Sequence, residues 1–171
     1  NIVHGLGTTA GQAIIAHPKI KAISFTGGTK TGAHIAAVAA PMFKKLSLEL
    51  GGKNPNIIFA DCDYENMLAT TVRSSFANQG QICLCGSRIF VAKSIYSKFK
   101  IDFVKAVSQL KVGSPSDSKS DIGALVSKQH LEKVRSYIDN VKAYGGTILF
   151  GGHEVNIEGF EKGYYLQPTI I

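Results

Sequence analysis

An α/β fold built on parallel strands is the class this sequence predicts, and three observations carry it. Short apolar stretches alternate with helical ones over roughly the first fifty residues. The pattern restarts after Gly51-Gly52, and a proline or glycine stands near each expected helix stop. Element by element, the spacing predicts a strand over 1–3, a helix over 9–16, a strand over 20–25, a helix over 29–39 and a strand over 46–50. Pro18 and Pro41 fall just past the two helical stretches. In the last strand Leu46, Leu48 and Leu50 share one face, while Ser47 and Glu49 share the other.

Beyond Gly51 an apolar strand is expected over 56–60 and a helix over 64–78 with Asp63 as its cap. Leu68, Val72 and Phe76 recur at fourfold spacing, so that helix has a core-facing side. Gly80 breaks it, leaving Cys83 in the turn before a strand over 88–92. Two more helices are expected, over 95–110 after Ser94 and over 128–144 after Ser127. Their apolar stripes are Ile95, Phe99, Phe103 and Val107, then Leu131, Val134, Ile138 and Val141, and both read as core. Gly145-Gly146 closes the second helix, and 147–150 reads as a strand. The serine-, proline- and aspartate-rich segment 111–120 reads as a surface loop.

Composition narrows the function classes. The chain has 171 residues, 44% of them hydrophobic, enough for a real core. No apolar run reaches the eighteen or so residues of a membrane span, and Asn1-Ile-Val-His is not a leader pattern. Its +7 charge arises from scattered lysines, which describe a solvated basic surface rather than a nucleic-acid patch. Three cysteines, two of them one residue apart, argue against a disulfide framework and for a reducing compartment, the cytoplasm.

Chemistry concentrates in glycine-marked turns. Cys83 ends Phe76-Ala-Asn-Gln-Gly-Gln-Ile-Cys83, and Glu49 lies in Leu48-Glu49-Leu50-Gly51-Gly52-Lys53. A thiol of pKa about 8.5 is a small fraction thiolate at neutral pH, yet it is a strong nucleophile once presented. A nearby carboxylate can activate the water that releases a covalent intermediate. Read without context, Cys83 is a small buried hydrophobe and Glu49 a solvent-side strand residue. Phe25-Thr26-Gly27-Gly28-Thr29-Lys30-Thr31-Gly32 is a strand end, a glycine turn and a helix start, which suits a pyrophosphate but equally an ordinary tight turn. Cys83-Leu-Cys85 has no second cysteine pair or nearby histidine, so no metal site is expected; Cys62 reads as inert. Asn78 reads as orienting the turn, while Lys53 and Asn54 read as structural.

The two motifs resemble the aldehyde dehydrogenase superfamily, whose glutamate motif is Leu-Glu-Leu-Gly-Gly-Lys and whose cysteine motif is Phe-x-Asn-x-Gly-Gln-x-Cys. Every fixed position is matched here. The resemblance runs from Asn1-Ile-Val-His-Gly-Leu-Gly to Gly163-Tyr-Tyr-Leu-Gln-Pro-Thr169. Within the superfamily, Gln81-Ile-Cys83-Leu-Cys85 and Val72-Arg-Ser-Ser-Phe-Ala-Asn-Gln-Gly80 are most similar to the branch oxidising 2-aminomuconic and hydroxymuconic semialdehydes.

The resemblance implies a fold, a cofactor and roles. Residues 1–51 would be the end of a Rossmann-like NAD(P)-binding domain, and 52–171 the start of an α/β catalytic domain. Cys83 would be the nucleophile and Glu49 the base. Gly27, Gly28 and Gly32 would border the dinucleotide phosphates, and the backbone at Leu50 and Gly51 the nicotinamide. Gly28 stands where the family has serine, so a hydroxyl contact is lost. The cofactor would be NAD, with NADP left open, and the substrate a small aldehyde. The whole enzyme would be a homodimer or homotetramer. An oxyanion asparagine and a ribose-binding lysine precede the first position in the family, and a Glu-Glu-Ile-Phe-Gly-Pro segment follows the last. The chain is therefore expected to be a fragment, inactive alone. The rival reading is a non-catalytic scaffold or a thiol redox sensor using Cys83 and Cys85.

Overall fold

A computed structural model describes residues 1–171, Lys142 by its backbone alone, and divides them into two units, Asn1–Gly52 and Lys53–Ile171. In the first, a π-helical turn at Gly7–Gly11 runs into helix α1 (Gln12–Ala16), followed by strand β1 (Ala22–Gly27), helix α2 (Thr29–Ala39) and strand β2 (Lys45–Leu50). The strands pair in parallel from Ala22–Lys45 to Gly27–Leu50, so β1-α2-β2 is one crossover unit. Gly32, Ile35 and Ala39, three and four residues apart, form the buried stripe of α2. The buried Lys44 closes the short α1 from below: its Nζ donates to the carbonyls of Ile15 and His17, both at 2.7 Å. These are the end-of-helix acceptors that lack an intrahelical donor.

Two expectations for this unit change. Residues 1–3 are not a strand but exposed coil, because among the described residues no neighbouring strand offers their backbone a ladder. The strand expected over 20–25 begins two residues later, since the Ile20 N–H is engaged by the His17 carbonyl in a turn.

In the second unit, strand β3 (Asn54–Ile58) and strand β4 (Gly86–Val91) also pair in parallel, joined by helix α3 (Tyr64–Phe76). Helices α4 (Tyr96–Ser108) and α5 (Lys128–Asp139) follow. Asp63 caps α3 by accepting from the Asn66 N–H, and Ser127 caps α5 by accepting from the His130 N–H. Ile58, Phe99, Phe103 and Val107 form the buried centre, with Leu68, Val72, Phe76 and Ile89 packed against it. Phe99 and Phe103 stack at 5.1 Å between ring centroids. Burial of each such side chain contributes on the order of 1.5–3 kcal/mol. At the rim, Asp102 accepts from Tyr64 Oη and from Lys98 Nζ, tying α3 to α4, and these two donors, Lys98 first, hold its carboxyl below the ordinary aspartate range.

The opposite face of this strand pair is open. Ile57 and Phe90, partners in the ladder, are 60% and 53% exposed, and Phe59 beside them is 67% exposed. Parallel strands are ordinarily covered on both faces.

Element ends again depart from expectation. The strand expected over 56–60 begins and ends two residues earlier, because Cys62 N–H bonds the Phe59 carbonyl and turns the chain. The strand expected over 88–92 is likewise displaced, to Gly86–Val91. Helix α3 stops at Phe76, because Asn78, Gln79 and Gly80 are left-handed. Ser94 does not cap α4; Ile95 occupies that position without a side-chain bond. Helix α5 ends at Asp139, although Val141 remains buried as expected of its stripe. Residues 147–150 make only a bridge, Phe150 to Ile170. Segment 111–120 is not wholly a surface loop, since Val112 bridges Ile122 and Ser114 is buried.

Candidate active site

Six of the residues singled out by sequence gather at one end of the first unit. Gly27 closes β1 opposite Leu50 at the close of β2, and Thr26 is opposite Glu49. In parallel α/β sheets, ligands sit beyond these carboxyl ends of the strands. Glu49 is exposed, as the alternation of β2 requires. Gly28 is the N-cap of the eleven-residue α2, with φ −72° and ψ 142°, and no side chain accepts from the first-turn N–H groups. Those donors and the positive helix end favour an anion.

The glycines divide by role. A β-carbon on Gly28 or Gly51 would meet nothing within 4 Å, so the space in front of α2 is open. A β-carbon on Gly32 would stand 2.5 Å from Leu50 Cδ2, so Gly32 lets α2 lie directly on the end of β2. Gly32 is buried, and its visible work is packing that sets the distance between helix and strand.

Cys83 belongs to the second unit, where it is exposed, whereas Cys85 is buried and Cys62 half-buried. The turn that presents it is unusual. Asn78, Gln79 and Gly80 have φ of 49°, 57° and 70° in succession, a conformation costing roughly 1–2 kcal/mol for each of the two non-glycine residues. Such geometry persists where neighbours over-determine it. With its amide oxygen and nitrogen exchanged to suit their neighbours, the Gln79 side chain accepts from the Gly123 N–H and donates to the Asn78 carbonyl, both at 2.9 Å. Gln81 Oε1 accepts from the Val126 N–H at 3.2 Å. On the far side, Cys85 N–H closes a turn onto the Ile82 carbonyl at 3.1 Å. Asn54 Nδ2 donates to the carbonyls of Cys83 at 2.6 Å and Cys85 at 3.3 Å. Sequence reasoning missed Gln79, Gln81 and the particular role of Asn54. The available signal was the side-chain amide of Asn54 at the opening of a strand, directly after the glycine-marked turn.

Two clefts of the second unit, about 320 and 530 Å³, do not include Cys83 in their lining. The smaller is walled by Phe76, Ile89, Phe99 and Phe103 and belongs to the core side of α3 and α4. Among the described residues, no three His, Cys, Asp or Glu side chains stand together as a metal site, and no helix is long and apolar enough to cross a membrane.

A family model described as the aldehyde dehydrogenase family matches residues 1–171. The chain belongs to the aldehyde dehydrogenase family. Among curated aldehyde dehydrogenases, 2-aminomuconic semialdehyde dehydrogenase of Bos taurus is 52% identical over the whole chain. The 5-carboxymethyl-2-hydroxymuconate semialdehyde dehydrogenase of Escherichia coli is 41% identical, again over the whole chain. In each case the chain spans 36% of the relative's length. A crystal structure of betaine aldehyde dehydrogenase from Staphylococcus aureus in complex with NAD+ superposes with a TM-score of 0.93 at 38% identity, covering 98% of this chain and 33% of that one.

Proposed function

We propose that the protein carrying this chain is an NAD-dependent aldehyde dehydrogenase acting on a muconic semialdehyde, with Cys83 as nucleophile and Glu49 as general base. The observation that carries the reading is an exposed cysteine just beyond a heavily bonded, left-handed turn, within a chain that matches the family from end to end. The 52% identity to a 2-aminomuconic semialdehyde dehydrogenase, against 39% to a betaine aldehyde dehydrogenase of Vibrio vulnificus, favours the muconic substrate class.

On this reading residues 1–51 contribute the end of the cofactor domain and 52–171 the start of the catalytic domain. The uncapped first turn of α2, the open space at Gly28 and Gly51 and the close seat of Gly32 on Leu50 fit a dinucleotide. Gly27, Gly28 and Gly32 would line its phosphates, and Leu50 and Gly51 its nicotinamide. When bound, NAD supplies the hydride acceptor. The Cys83 thiolate adds to the aldehyde carbon to give a thiohemiacetal, whose oxyanion the Cys83 backbone N–H helps to hold. Loss of the aldehyde hydrogen as hydride leaves a thioester on Cys83. Glu49 takes a proton from water, the hydroxide adds to the thioester, and the carboxylic acid leaves as the thiolate is restored.

The full-length protein, mixed with NAD and a muconic semialdehyde and quenched in acid, is expected to carry an acyl adduct on the Cys83 peptide by mass spectrometry. Absence of both adduct and NADH would end the reading. Gly28→Ser tests the cofactor half. Its backbone suits serine and the space is free, so the added hydroxyl should cap α2 for a few tenths of a kcal/mol. It should also bond a phosphate, lowering the Kd for NAD by about threefold to tenfold, measured by fluorescence titration. An unchanged or weakened Kd counts against placing the phosphates there.

A further inference from the structure

We infer that Asn54 is the positioning residue of Cys83: its side-chain amide holds the cysteine turn in its working shape by donating both amide protons to the carbonyls on either side of Leu84. The inference rests on the reading of Cys83 as nucleophile.

Side-chain packing does not hold Cys83. Its own side chain is exposed, and Leu84 after it is 80% exposed, so neither residue is packed into place. Position must then come from the backbone. On the upstream side, Gln79 and Gln81 tie the turn to Gly123 and Val126. These bonds end two residues before the thiol. On the downstream side, Ser75 Oγ donates to the Gly86 carbonyl at 3.0 Å and Ser74 Oγ accepts from the Gly86 N–H at 3.2 Å, which anchors the strand start but not the turn. Between these anchors, the side-chain bonds that reach the backbone of Cys83 and Cys85 are the two from Asn54.

The geometry suits the task. An amide nitrogen carries two protons, and here one nitrogen reaches two carbonyls two residues apart, so both peptide groups must turn toward the same point. Asn54 is itself fixed: it is the first residue of β3, half-buried and paired with Gly86 of β4. A group mounted on a strand holds a neighbouring loop more firmly than another loop can. Aspartate would offer no proton there, and leucine would copy the shape without a donor. Serine would keep one shorter donor.

The test uses full-length protein and compares Asn54→Leu and Asn54→Ser with wild type. For Asn54→Leu, kcat with aldehyde should fall on the order of 10–100-fold, as expected for misplacement of a nucleophile by about 1 Å. KM for NAD should move less than about twofold, because the residues proposed to hold the cofactor lie in the other unit. Hydrogen exchange of the 82–86 peptide should rise at least about tenfold, while peptides of α4 keep wild-type protection. Asn54→Ser should recover part of the kcat loss and part of the protection. Should Asn54→Leu fail to fold, the Ser variant alone carries the comparison, with an expected kcat loss of roughly threefold to tenfold and the same local rise in exchange.

Unchanged kcat and unchanged exchange at 82–86 in a folded variant overturn the inference. So does a kcat loss accompanied by equal loss of protection in α4, which is general damage. Failure of the function itself is seen separately: wild type then forms no adduct on Cys83, while the exchange comparison still reports whether Asn54 holds the turn.

Discussion

On the proposed function, replacing Cys83 by alanine in the full-length protein is expected to lower kcat on the order of 10⁴-fold or more and to abolish the acyl adduct. The size follows from what is removed. The sulfur is the only atom of the side chain able to form the covalent bond, and alanine leaves the turn, its left-handed residues and its carbonyl bonds from Asn54 undisturbed. NAD binding should therefore stay within about threefold of wild type, since none of the proposed cofactor residues is touched. Stopped-flow measurement of NADH formation together with a binding titration separates the two quantities. Turnover near the wild-type rate would remove Cys83 from the mechanism, and lost NAD binding would mean that the substitution acts through folding.

Glu49→Gln should have a different signature. Glutamine preserves the shape of an exposed residue on β2 opposite Thr26, so strand pairing survives. What disappears is the proposed base. Deacylation should slow by roughly 10²–10⁴-fold, the range associated with a positioned proton acceptor. A first turnover of NADH should remain, followed by a stalled phase during which thioester accumulates on Cys83. Acid-quenched samples taken across that phase should show the adduct rising to near one per chain. An adduct that never exceeds its wild-type level, with kcat unchanged, would assign the proton transfer to another group.

How much of this was legible in one dimension depended on how local each cause is. Helix α2 has its expected bounds, because Gly28 and Pro41 mark its ends within the chain itself. The same holds for the caps Asp63 and Ser127, and for Phe99, Phe103 and Val107, whose spacing alone puts them on one buried stripe. Residues 1–3 failed for the opposite reason: strand propensity does not make a strand without a neighbour to pair with. Residues 77 and 78, expected as the end of α3, failed because Asn78 and Gln79 turn left-handed in succession, which nothing in the apolar spacing marks. The motif residues were visible as chemistry, but their support was not. Asn54 reaches Cys83 from 29 positions away and Gln81 reaches Val126 from 45, and neither pairing leaves a periodic trace.

Those separations also bear on how the protein is made. Loops of this size must close before their contacts contribute, so such bonds form late relative to neighbouring helices. During synthesis the thiol is added to the chain well before Val126 exists to meet Gln81. Until that point the nascent chain carries its cysteine in an untied stretch, and the turn that presents it takes shape only with that long-range closure.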